Sequence, residues 1–131
     1  MTVRRAERRD VRADWWDYQH EIEETRVLAI IAHVQRVGHW DLPPVLVLED
    51  EGNGYAVLDG HHRCEAACRM RRDADLLGRV LEDIPAYVLS IADYTAIVES
   101  EFGGSSPNRL ADLRDYIDCD GVDGNAVAGN N

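Results

Sequence analysis

"AVLDGHHRCEAACRMRR", residues 56–72, changes character in its middle. The apolar run Ala56 to Leu58 breaks at Asp59-Gly60, two histidines and an arginine follow, and Ala66, Ala67 and Met70 are candidate packing positions of a helix over His61 to Arg72. The stretch therefore reads as strand, glycine turn, helix. A junction of that kind frees backbone N–H groups at the helix start, where the dipole favours an anion, most often a phosphate. His61, His62 and Arg63 would add side-chain donors, and Asp59 at the strand end would serve as a magnesium ligand or orient a histidine. An ordinary solvated loop can use the same residues, so the neighbouring segments decide.

Upstream, "YAVLD" (55–59) pairs with "VLVLE" (45–49) across the turn "DEGNG", a hairpin that follows the break at Pro43-Pro44. Before it, Val27, Leu28, Ile31 and Val34, with Ile30 beside them, give a helix over Glu21 to Val37 that stops at Gly38. Downstream, "DADLLGRVLED" reads as a short helical piece. "IPAYVLSI" is a third strand, whose proline is tolerated only at an edge or at the first position. "ADYTAIVESEF" is helical and stops at Gly103-Gly104. "SSPNRLADLRDYI" restarts a helix at Ser-Pro, with Leu110, Leu113 and Ile117 in register.

The organisation expected is an arginine-rich segment over 1–19, one α+β domain over 20–117, and a mobile tail over 118–131. At 131 residues and 45% hydrophobic content, one modest core is the limit. The net charge is −11 and all 14 basic residues are arginine. Phosphate backbones repel such a surface, so DNA is not an expected partner. Arg4, Arg5, Arg8, Arg9 and Arg12 read as a solvated basic end, because no apolar stretch follows as a secretion signal requires. No run approaches the roughly 18 apolar residues of a membrane span, and a cytoplasmic location is expected. The three cysteines, with no secretion signal, are expected to be reduced.

The order helix, "PPVLVLE", glycine turn, "YAVLDGHHRCEAA", "IPAYVLSI" resembles the ParB/sulfiredoxin superfamily over roughly residues 20 to 90. In motif it is most similar to the free serine kinase branch, which carries "DGHHR" in the same strand-to-helix turn and a His-Glu pair ahead of the first helix. Here "YQHEIEE" supplies His20-Glu21. The resemblance implies a compact fold with a small mixed sheet and flanking helices. It implies Glu21 as the base that accepts a substrate hydroxyl proton, Asp59 as the Mg²⁺ ligand, and Gly60, His61, His62 and Arg63 as the cradle for the phosphates of ATP, ADP or CTP. The reaction implied is phosphoryl transfer to a small hydroxyl substrate such as serine.

The chain also departs from that branch, because it ends soon after the nucleotide core, where the kinases build part of their amino-acid pocket. The alternative is a CTP- or ATP-binding regulatory module, or an interaction domain, without chemistry. His61 stands where sulfiredoxin has its cysteine. Cys64 and Cys68 fall on one helix face with His61, a spacing open to zinc, yet two small thiols in a helix are more readily core packing. "DCDGVDG" (118–124) has the acid spacing of a calcium loop without its later ligands. Trp15-Trp16 reads as a packing lid over the core, and His33 and His39 as surface or satisfied polar residues.

Overall fold

The computed structural model describes residues 3–12, 16–17, 21–49, 54–105, 107 and 110–119. Their centre is a five-stranded mixed sheet in the order β2-β6-β4-β5-β3. Its strands are β2 (Glu7–Val11), β3 (Trp16–Asp17), β4 (Val45–Glu49), β5 (Tyr55–Asp59) and β6 (Ile84–Leu89). β4 runs antiparallel to β5 and parallel to β6, and β2 closes one edge antiparallel to β6. The expected hairpin of β4 and β5 is present, with a register irregularity between Leu46 and Val47. Among the described residues three α-helices, α1 (Glu24–Val37), α2 (His61–Arg72) and α3 (Ile91–Glu101), flank the sheet in a small α+β protein.

Alternation along the strands sorts the core into two halves. Val45, Val47, Val57, Ile84, Ala86 and Val88 pack with Val27, Ile31 and Val34 of α1 and with Cys64, Ala67 and Met70 of α2. The opposite positions Leu46, Leu58, Tyr87 and Leu89 pack with Ile97 of α3 and with Leu113. A sheet covered on both faces accounts for the unbroken apolar run "VLVL", which half-buried strands would not need. Gly38, at φ +94, ends α1 as expected, its N–H donating to the Val34 carbonyl at 2.7 Å. Leu28, by contrast, is 51% exposed and lies outside the packed stripe of α1.

Several expectations are corrected. β6 is an interior strand, and Pro85 is its second residue; the β4 ladder begins only at Ala86, beyond the missing proline N–H. Residues 73–83 carry only a 3-10 turn, Ala74–Leu76, whose start is capped by Asp73 Oδ1 accepting from the Asp75 N–H at 3.0 Å. Gly78, at φ +78, prevents that piece from continuing as a helix. The last expected helix is a 3-10 segment, Leu110–Tyr116, and Ile117 belongs to a two-residue strand, β7 (Ile117–Asp118).

The arginine-rich start is solvent-facing in its side chains, yet its backbone is structured. β2 is the sheet edge, and β1 (Arg4–Arg5) pairs in parallel with β7. The Ala6 N–H donates to the Asp118 carbonyl at 2.8 Å, and Ala6 and Cys119 are both buried in the second core. Arg8 lies over the Tyr87 ring, 5.7 Å from its centroid, while Arg9 and Arg12 pair with Glu49 and Asp83 at 2.8 and 3.0 Å. Trp16 is buried against Tyr55, with centroids 5.7 Å apart, so its half of the expected lid packs on the core; Trp15 lies outside the described residues. No helix among the described residues is long and apolar enough to cross a membrane.

Candidate functional site

The turn from β5 to α2 has a backbone that only glycine fills comfortably. Gly60 sits at φ +103, ψ 33, and a Cβ there would stand 2.7 Å from Val45 Cγ1 and 3.0 Å from Arg63 Nη2. As N-cap it has no side chain to close the helix start, and the first turn of α2 contains no acid. The first helical bond runs from the Cys64 N–H to the Gly60 carbonyl at 2.9 Å, so the amides of His61, His62 and Arg63 lie ahead of the ladder.

That helix start opens into a cleft of about 940 Å³ whose opposite side is the beginning of α1. Asp59, Gly60, His61, His62 and Arg63 line it, and so does Glu21. The two separated sequence segments thus reach one cavity. His20 lies outside the described residues.

Two of the five turn residues also hold the fold together. Arg63 is 8% exposed, and its Nη1 donates to the Pro43 and Pro44 carbonyls at 2.7 and 3.2 Å. Burial pulls its guanidinium below the ordinary arginine range, while neighbouring Asp59 and Cys64 push the other way. His62 Nε2 accepts the Glu23 N–H at 3.1 Å. Glu23 is the N-cap of α1, and this bond ties the start of α1 to the start of α2.

A second tie lies about two turns further along α2. Arg69 of α2 grips Glu24 of α1 bidentately, Nη1 to Oε2 and Nη2 to Oε1 at 2.7 Å each, and its Nε donates to Glu65 at 2.8 Å. Those bonds raise the Arg69 guanidinium and hold the Glu24 carboxyl below its ordinary value. The Glu65–Arg69 spacing is visible in sequence as an i,i+4 pair, whereas the bond to Glu24 depends on tertiary placement. Arg26, Ala29 and Leu42 also line the cleft without any motif to announce them.

Asp59 is 8% exposed at the cleft floor beside Arg63. Among the described residues no three His, Cys, Asp or Glu side chains converge on a metal-sized space. Mg²⁺ needs no such cage, since it keeps several waters and takes one or two carboxylates together with phosphate oxygens. Asp59 therefore fits a metal that arrives with a phosphate ligand. Cys64 and Cys68 are buried in the core, and burial pushes the Cys64 thiol up, out of thiolate range. Their packing role stands, and the calcium-like stretch falls almost wholly outside the described residues. His33 Nε2 meets Asp41 Oδ1 at 2.9 Å on the surface, a satisfied polar pair. Comparison with known protein families, with curated proteins and with solved structures gave no match.

Proposed function

We propose that this chain is a nucleotide-binding protein of the ParB/sulfiredoxin type that transfers a phosphoryl group from ATP or ADP to a small hydroxyl substrate such as serine. The observation that carries the reading is the glycine-led, acid-free first turn of α2 opening into a cleft that Glu21 also lines. The backbone amides ahead of the α2 ladder, with the helix dipole behind them, would hold the phosphates. Arg63 would contribute charge from its buried position, while its carbonyl bonds keep the turn in shape.

For ATP, the substrate oxygen forms a bond to the γ-phosphorus, the bond from that phosphorus to the β–γ bridging oxygen breaks, and ADP leaves. Glu21, on the rim, would accept the hydroxyl proton. Asp59 would hold Mg²⁺, which when bound spreads the charge of the phosphate oxygens. Catalysis of this kind is positioning plus charge stabilisation, so a rigid seam between α1 and α2 matters more than a reactive nucleophile.

Calorimetric titration with ATP, ADP and CTP in Mg²⁺, followed by an assay for phosphoserine from free serine, tests both halves. Glu21→Gln is expected to keep nucleotide binding and lower turnover about 10²- to 10⁴-fold. Binding without any turnover in the parent protein leaves a regulatory nucleotide-binding module. No binding at all removes the reading.

A further inference from the structure

The phosphate end of the cleft leaves its other wall without a role. We infer that this wall receives the nucleoside without distinguishing the base, so that the ligands are nucleoside triphosphates as a class. The inference rests on the phosphate site proposed at the start of α2.

Among the described residues the wall is aliphatic: Ile22, Ala29 and Ile30 on the α1 side, Leu42 and Pro43 on the loop before β4. Ala29 and Ile30 follow the N-cap Glu23 by about two helical turns, which places them roughly 10 Å along α1 from the helix start. That is the scale of a sugar and base extending from a phosphate. A cleft of about 940 Å³ has room for a purine or a pyrimidine, so size does not select between them.

Selecting a base requires fixed hydrogen-bond partners on its edge, each worth roughly five- to a hundredfold in affinity. None of the five wall side chains has a polar atom. Pro43 and Pro44 have no backbone N–H to donate, and each carbonyl already accepts one bond from Arg63, which leaves it a single lone pair. Glu23 and Arg26 also border the cleft, but they pair with each other at 3.3 Å and their side chains are each 61% exposed. Ordering such a wet, long side chain against one base costs rotamer entropy and returns only a few-fold. The aliphatic wall would cover the face of any base and read the edge of none.

The test is calorimetry of the whole chain with ATP, CTP, GTP and UTP, each with Mg²⁺, and with inorganic tripolyphosphate. The four nucleotides are expected to agree within about tenfold and to bind more tightly than tripolyphosphate. Preference for one base beyond about tenfold, or tripolyphosphate binding as tightly as the nucleotides, overturns the inference. Tripolyphosphate binding with no nucleotide binding overturns it while leaving the phosphate site intact. Failure of all five probes removes the phosphate site and the inference with it. Ala29→Leu adds bulk at an exposed helix position. It should weaken the four nucleotides by a similar factor and leave tripolyphosphate unchanged. Unequal losses, or an equal loss for tripolyphosphate, would count against the wall.

Discussion

The starts of α2 and α3 are the same kind of strand-to-helix junction with different chemistry at the cap. Each follows a strand directly, β5 into α2 and β6 into α3. Because β5 runs against β4 while β6 runs with it, the two junctions lie at opposite ends of the sheet, and their helices pack on opposite faces. At α3 the chain closes its own helix: Ser90 Oγ accepts the Asp93 N–H at 3.1 Å, and Asp93 puts a carboxylate in the first turn. At α2 a left-handed glycine replaces the serine, and the first turn holds two histidines and an arginine instead of an acid. One helix start is closed by its own serine; the other, under the proposed function, would take an anion from outside.

The largest effect that could break this comparison comes from Arg63. Arg63→Ala removes a buried guanidinium from the Pro43 and Pro44 carbonyls and from its neighbour Asp59, and should cost about 3–5 kcal/mol in urea denaturation. Arg63→Lys should recover only part of that, since one ammonium cannot reproduce the planar fork. A loss below about 1 kcal/mol, the scale of a surface pair, would mean that Arg63 does not pin the turn.

Gly60→Ala should follow, at about 1–3 kcal/mol, from the positive φ alone; the contact at 2.7 Å with Val45 Cγ1 adds to it. Its nucleotide binding, measured by calorimetry below the unfolding range, should be lost with the shape of the turn. Unchanged stability and affinity would show that the turn has no need of glycine.

These junctions are legible in the sequence where the signal is local. Gly38 and Gly60 punctuate α1 and α2 because a left-handed turn requires them, and the β4–β5 hairpin follows from two apolar runs around one turn. The edge strand β2 was not legible: of "ERRDV" only Val11 is fully buried, so its place depends on Ile84 and its neighbours, seventy and more positions away. The same holds within the site. Asp59 to Arg63 are consecutive and could be read together, but Glu23, Arg26 and Ala29 look like a solvated helix face until α1 is packed beside α2. An arginine's donors also carry no direction in a sequence, so the bonds of Arg63 to two proline carbonyls could not be read from it.

Exchanging the caps sharpens the comparison at smaller scale. Ser90→Ala should cost about 1 kcal/mol of stability and leave nucleotide affinity as it was. His61→Asp gives α2 the acidic first turn that α3 already has. It should raise stability by about 0.3–1 kcal/mol through the dipole while weakening nucleotide binding about tenfold or more. If His61→Asp leaves affinity untouched, the start of α2 is not where the phosphates sit.

The smallest effect concerns the charge clamp between α1 and α2. Arg69 donates two bonds to Glu24 and so holds its carboxyl below the ordinary value of 4.5. A carboxylate lowered in the folded state contributes its stability above its unfolded pKa and loses it as pH falls through the folded one. The clamp is therefore intact at neutral pH and weakens progressively below about pH 4.5. Since Glu24 is solvent-exposed, salt screens the interaction, and the loss should be gradual. Melting temperature against pH for the parent and for Glu24→Gln checks it: the parent should be the more stable at pH 7, and the two curves should converge as pH drops below 4.5. Curves that stay parallel down to pH 3 would assign the difference between the two proteins to helix propensity and not to the clamp. The tie between the two helix starts, the His62 bond to the Glu23 N–H, would then hold the α1 side of the cleft without help from Arg69.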